Sequence, residues 1–216
     1  MKENINGYPR PMLTADIVLF RFHKNELQTL LIERRNDPFA NYMALPGGYV
    51  NESETAKEAA YRELLEETNI KQTELNQLFT ATDPERDPRG WTVSVVFTGF
   101  CEPYVKIIAG DDAKKALWIR INNVPKLAFD HLMLLKKAAN NLKQRMYFSV
   151  FGGELLPKSF SLKDLYKLYL NIDDNHKKIE ETVKRLCDFN ILIKSGNMWF
   201  FEQSQYSLIQ ENGFFK

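Results

Sequence analysis

The chain has 216 residues, of which 44% are hydrophobic, with 29 Lys and Arg against 28 Asp and Glu for a formal net charge of +1. That length holds one sizeable core with room for a small second module, and the composition excludes a disordered, collagenous or low-complexity chain. Balanced charge excludes a global field for nucleic acid or anionic lipid, so any polyanion must be bound locally.

Residues 13–22, LTADIVLFRF, and 27–33, LQTLLIE, are β-branched and aromatic runs on either side of His23-Lys24-Asn25-Glu26, which predicts a hairpin or a neighbouring strand pair. Between Pro38 and Asn51 lies the longest uncharged stretch. It is interrupted by Pro46-Gly47-Gly48 and falls short of the ~18 apolar residues of a membrane span, so no span is expected. Residues 54–68 lack Gly and Pro and are rich in Ala, Leu and Glu, hence a helix. Strands follow near 75–82, 92–101 and 116–121. A further helix runs from the N-cap Asp130 to about residue 144 on Leu132, Leu135, Ala139 and Leu142. Trp91, Trp118 and Trp199 fall in these and later strands and are expected to build core.

Beyond residue 145, Gly152-Gly153 and Pro157 read as a linker-like break. Ser161 opens a helix to Leu170, and a second helix spans Asp174 to Phe189. ILIK and MWFFE then flank Ser195-Gly196-Asn197, a hairpin turn signal. Helix, helix, hairpin is a winged-helix outline. The expected division is an α-plus-β domain over 1–145 and a winged-helix-like domain over 146–216.

The segment from Gly48 to Ile70 concentrates the chemistry. Gly48, Glu54, Arg62, Glu63, Glu66 and Glu67 follow the frame glycine, five residues, glutamate, seven residues, then Arg-Glu-Leu-Leu-Glu-Glu. On a helix turning about 100° per residue, Glu63, Glu66 and Glu67 fall within an arc of roughly 100°. The positions one turn away are Ala59, Ala60, Ile70 and Lys71, which leave the three carboxylates mostly short of positive charge. A hard divalent cation fits such a cluster. A solvated glutamate-rich face is the plainer alternative for three acids at helical spacing.

This frame, with Leu45-Pro46-Gly47-Gly48 ahead of it, closely resembles the Nudix box. The resemblance implies an α+β chain, with an α/β/α sandwich built on a mixed sheet, that hydrolyses a nucleoside diphosphate linked to another group. It implies Mg²⁺ or Mn²⁺ held by Glu63, Glu66, Glu67 and the Gly47 carbonyl. One of these glutamates, or a nearby loop carboxylate, would activate the attacking water. Arg62 and Glu54 would orient them. Asn69 stands where the family usually has glycine, and asparagine is the best substitute in the left-handed conformation required after the helix.

Thr82 to Gly90, TDPERDPRG, packs charge of both signs into a proline-stiffened loop. It reads as a surface turn or, beside the acidic helix, as two arginines, Arg86 and Arg89, able to grip phosphate. Pro84, about fifteen residues past the box, is similar to what ADP-ribose-specific Nudix enzymes show. The DPxRDPRG run, Asp111-Asp112-Ala113 before Trp118, and Leu127-Ala128-Phe129-Asp130-His131 resemble the Nudix group that contains ADP-ribose-binding transcription regulators with a C-terminal winged helix. Upstream, Arg34, Arg35 and Phe39 are candidates to contact phosphate and stack on adenine, Phe39 being equally readable as core. His131 beside Asp130 reads as a cap or packing residue, with a catalytic pair as the alternative.

Regulators in that group commonly lose box glutamates, whereas every one is present here. Residues 146–216 carry nine Lys or Arg and nine Asp or Glu, and the second helix begins Asp173-Asp174 and continues with Glu180 and Glu181. DNA binding draws its affinity from phosphate neutralisation, so this neutral module disfavours DNA as a partner. A basic patch of Lys177, Lys178, Lys184 and Arg185 is the residual case for it. The expected protein is an ADP-ribose pyrophosphohydrolase, with a ligand-sensing DNA-binding regulator as the alternative. Its partner is a small nucleotide. Widely separated Cys101 and Cys187 suit reduced thiols in the cytoplasm, and the resembling enzymes are usually homodimers.

Overall fold

The computed structural model describes residues 9–71, 73–110 and 113–212. Asp111 and Asp112 of the resemblance above lie outside the described residues. The chain forms two compact units, Met1–Phe20 with Gln28–Ala138, and Arg21–Leu27 with Ala139–Lys216.

The first unit is built on a mixed sheet. β1 (Met12–His23) and β2 (Glu26–Arg34) form the expected hairpin. Lys24 and Asn25 both take positive φ, 51° and 65°, as a two-residue primed turn requires. Two short strands, β3 (Met43–Ala44) and β4 (Gly47–Tyr49), precede helix α1 (Ala56–Thr68). The strands β5 (Asn76–Ala81), β6 (Thr92–Phe100) and β7 (Ala113–Arg120) complete the sheet. Its order is β3-β2-β1-β6-β5, with β4 on β1 and β7 on β2; β1 and β6 run parallel, whereas the β4, β3, β7 and β5 pairings are antiparallel.

β1 is buried without a break from Thr14 to Phe20, the pattern of a central strand covered on both faces. Ala15, Ile17 and Leu19 alternate onto one face and pack with Ala59, Ala60 and Leu64 of α1. Asp16 lies between them on the opposite face, which brings it to the candidate site. Trp118 packs against the α1 core as expected, whereas Trp91 is 42% exposed at the edge of β6 and builds no core.

Helix α2 (His131–Phe148) starts after Asp130, whose carbonyl accepts the N–H groups of Met133 and Leu134, and runs four residues past the expected end. It continues from the first unit into the second. The second unit adds α3 (Leu162–Ile172), α4 (His176–Asp188), the hairpin β8 (Leu192–Ser195) with β9 (Met198–Phe201), and α5 (Gln203–Asn212). Ser161 and Asp164 form a reciprocal cap on α3, and Gly196 turns the hairpin at φ 59°. Leu165 and Leu168 of α3 and Ile179, Val183 and Leu186 of α4 are buried at spacings of three and four. α5 was not predicted; its signal is Glu202, whose Oε2 accepts the Gln205 N–H.

Candidate active site

Thr55 sets the start of α1. Its hydroxyl accepts the Glu58 N–H while the Glu58 carboxylate accepts the Thr55 N–H, a capping box that leaves Glu54 just outside the helix. Asn69 closes the helix in the left-handed conformation, φ 57° and ψ 22°, with its N–H on the Leu65 carbonyl. The asparagine therefore performs the glycine's conformational task.

Arg62 is the hub of the acidic helix. Its Nε and Nη2 donate to the two oxygens of Glu54 at 3.1 and 2.7 Å. Its Nη1 donates to Glu63 at 2.7 Å and to Glu66 at 3.1 Å, and Nη2 also reaches the Tyr49 carbonyl at 2.9 Å. This corrects the expectation that the carboxylates stand mostly short of positive charge, because a guanidinium one and four residues away serves two of them. The Arg62 hydrogen bonds hold the Glu54 carboxyl down to about 2. Among the described residues, no three His, Cys, Asp or Glu side chains converge as they stand on a position that could hold an ion.

The glycines bring strand and helix together. Gly47 and Gly48 pair with Asp16 and Ala15 of β1. A Cβ on Gly48 would lie 2.2 Å from Glu63 Oε1, so only glycine gives that carboxylate its seat. Gly47, at φ 151°, donates its N–H to Glu67 Oε2 at 2.9 Å, and Glu67 is 6% exposed. Glu63, Glu67, Gly47 and Gly48 line a cavity of about 420 Å³ together with Thr14, Asp16, Arg34, Arg35, Arg62, Arg86, Arg89, Phe129 and His131. Glu66, more exposed, does not line it.

The proposed substrate residues separate into three kinds. Arg34 and Arg89 enter the cavity with their guanidinium carbons 4.8 and 5.0 Å from the Phe129 ring centroid. Arg34 donates to the Pro38 and Asn36 carbonyls, and burial followed by repulsion from Arg89 lowers its pKa. Arg89 pairs with Asp87 at 2.7 Å and also lies over Tyr49. Arg35 lines the cavity from an exposed position. Phe39 does not line it; the ring packs edge-on against Phe129 at 4.8 Å and borders a separate depression.

Arg86 differs again. Its Nη2 donates to Asp16 at 3.0 Å and to Asp130 at 2.8 Å, its Nε to Asp130 at 3.0 Å, and the side chain is 3% exposed. The buried Asp16 and the partly buried Asp130 thus hold its Nε and Nη2, while the residue still lines the cavity. Asp16 also accepts the Ser94 hydroxyl at 2.6 Å. His131 Nδ1 accepts the Leu45 N–H at 2.9 Å, which places the proton on Nε2, 3.6 Å from Asp16. Burial lowers the His131 pKa, so the ring is a neutral tether, in line with the packing reading. Sequence reasoning missed Asp16 and Phe129 as site residues. A lone carboxylate inside LTADIVLF was the available signal for the first.

A model of the NUDIX domain matches residues 10–138. The chain is 34% identical over 170 residues to the ADPR responsive transcriptional repressor NtrR of Acinetobacter baylyi, covering 76% of this chain and 67% of that one. It is 40% identical over 134 residues to the ADP-ribose pyrophosphatase of Methanocaldococcus jannaschii, covering 60% and 73% respectively. The crystal structure of Shewanella oneidensis NrtR complexed with a 27mer DNA matches at a TM-score of 0.72 and 28% identity over 90% of this chain and 95% of that chain. The matched span ends where the first unit ends and contains the whole glycine, arginine and glutamate constellation, so this chain belongs to the Nudix family.

Proposed function

We propose that this chain is a pyrophosphohydrolase that cleaves ADP-ribose to AMP and ribose 5-phosphate with the help of Mg²⁺ or Mn²⁺. The carrying observation is the cavity that brings Glu63, Glu67 and Gly47 together with Arg34, Arg35 and Arg89. A diphosphate needs both kinds of group. Guanidinium donors bind its oxygens, and carboxylates accept the proton of the attacking water. The kinship with an ADP-ribose pyrophosphatase supports the choice of nucleotide.

The donor set fits a hard divalent cation. Glu63, Glu66, Glu67 and the Gly47 carbonyl offer only oxygen, and the missing Cβ at Gly48 is the cradle in which the Glu63 carboxylate rests. When bound, the cation acidifies water and offsets charge on the leaving oxygen. Arg62 orients Glu54, Glu63 and Glu66, and would yield Nη1 contacts as the acids take up the ion. Turnover of ADP-ribose, followed by a phosphate-coupled assay with and without Mg²⁺ or Mn²⁺, tests this. Glu66→Gln and Glu67→Gln are each expected to lose about 10²–10⁴-fold in kcat with the fold intact. Near-normal activity in both variants refutes the assignment.

A second reading has its own support, because the likeness to NtrR and to DNA-bound NrtR covers much more than the Nudix domain. In that reading the domain over 1–145 senses ADP-ribose and a winged-helix-like domain over 146–216 binds DNA. Tight ADP-ribose binding without turnover would favour it. Both readings place the protein in the cytoplasm as a homodimer, which light scattering of the purified chain tests.

A further inference from the structure

Phe129 sits in an unusual backbone state at the end of the loop that leads into α2. Its φ is 51°, in the left-handed region that a bulky side chain rarely adopts. Such strain persists only where the surroundings fix it, and here they do so on both sides. Ala128 donates its N–H to the Met43 carbonyl at 2.8 Å, and Asp130 is gripped by Arg86. The ring itself is packed by Phe39 at 4.8 Å and by His131 at 5.3 Å.

What the strained residue presents to the cavity is an aromatic ring that two cations share. The Arg34 and Arg89 guanidinium carbons lie 4.8 and 5.0 Å from its centroid. Asp87 offsets part of this paired charge, and the cavity beside the two guanidiniums is open to a further anion. Asp87 already holds Arg89 through Nε and Nη2, and further carboxylate contacts would occupy the remaining donors that a phosphate needs. An aromatic face attracts the cation while leaving its in-plane N–H groups available. Among the described residues, the hydrogen bonds of both arginines run through Nε and Nη2, which leaves Nη1 of Arg34 and Nη1 of Arg89 open.

We infer that Phe129 is a positioning residue for diphosphate recognition, holding both Arg34 and Arg89 at its ring so that their Nη1 groups are available to the phosphoryl oxygens. The inference rests on the diphosphate-binding reading of the cavity and adds to it the residue that assembles the anion site. It also explains why a strained phenylalanine is kept where glycine or asparagine would adopt the backbone more readily.

Phe129→Leu tests it, since leucine carries a similar backbone penalty at positive φ and retains bulk but not the π face. Calorimetric titration of the full chain with ADP-ribose, inorganic pyrophosphate and adenosine is the measurement. For Phe129→Leu the expected result is a Kd for pyrophosphate and ADP-ribose raised about five- to tenfold, with adenosine binding unchanged. Phe129→Tyr restores wild-type affinity. Unchanged pyrophosphate affinity in Phe129→Leu overturns the inference, as does equal weakening of adenosine and pyrophosphate, which marks a packing role. Wild-type binding of pyrophosphate but not ADP-ribose refutes the nucleotide assignment alone, and the Phe129→Leu comparison on pyrophosphate then still decides the role of the ring. A wild-type chain that binds neither overturns both.

Discussion

At the scale of single residues, a buried charge network beneath the cavity decides which side chains are free to meet a ligand. Asp16 sits in the middle of a central strand and is 5% exposed, a position that an unpaired carboxylate cannot occupy. Arg86 resolves this by bridging Asp16 and Asp130. Replacing it with methionine leaves the buried Asp16 and the partly buried Asp130 without their cation, and the expected loss is about 3–5 kcal/mol, read by urea unfolding. A loss below 1 kcal/mol would mean that water reaches the acids. His131 provides a second test. Asp16 and Asp130 favour its charged form, while burial, Arg86 and Arg34 disfavour it, and burial is the largest effect. The folded-state pKa therefore lies below the unfolded value of about 6.5. The neutral ring contributes stability above that value, and the contribution is lost as pH falls from about 6.5 through the folded pKa. Tm should be level between pH 8 and 7 and fall below 6.5, and His131→Asn, whose amide oxygen can still accept the Leu45 N–H, should flatten that fall. Equal pH slopes in the two proteins would remove His131 as the cause. The acids of the box were legible in the sequence because their spacing is local. The Arg86 assignment was not, because its partners lie 70 and 44 residues away and only the sheet brings them together.

At the scale of elements, α1 carries most of the chemistry and its ends fix the geometry. The capping box at Thr55 and Glu58 sets the first turn, and Asn69 sets the last. Thr55→Ala should cost about 1 kcal/mol. Asn69→Gly should gain up to about 1 kcal/mol, because glycine enters the left-handed region without a Cβ penalty. Thermal unfolding measures both, and a destabilised Asn69→Gly would show that the side chain has a further role. The sequence located this helix but began it at residue 54, because composition marks helical stretches whereas the boundary depends on which hydroxyl turns back on the chain. The same holds elsewhere. β1 and β2 were visible in their continuous β-branched and aromatic runs. β3 and β4, two and three residues long, were invisible because their strand character comes from partners on β2 and β1. α5 escaped for a related reason, being short and capped by a glutamate outside the usual Ser, Thr, Asp and Asn set.

At the scale of the whole molecule, the question is whether the second unit meets DNA as its likeness to a DNA-bound regulator suggests. Charge decides much of this, since each neutralised phosphate contributes to affinity and to its salt dependence. The sequence offered Lys177, Lys178, Lys184 and Arg185 as a basic patch. In the folded unit, Arg185 is drawn inward to the Tyr147 carbonyl, and Lys178 lies over the Tyr147 ring at 4.1 Å. The exposed charges of α4 are then Lys177, Lys178 and Lys184 among Glu180, Glu181 and Asp188. Three cations set among three anions release few counterions. Titration of labelled duplex DNA between 50 and 200 mM salt is expected to show binding no tighter than about 10⁻⁶ M, with a log–log salt slope of magnitude about 2 or less. Lys177→Ala combined with Lys184→Ala should abolish what remains. Nanomolar binding with a slope near −6 would require phosphate contacts from elsewhere on the chain. It would transfer the principal function from hydrolysis to regulation, with the Nudix cavity acting as its sensor.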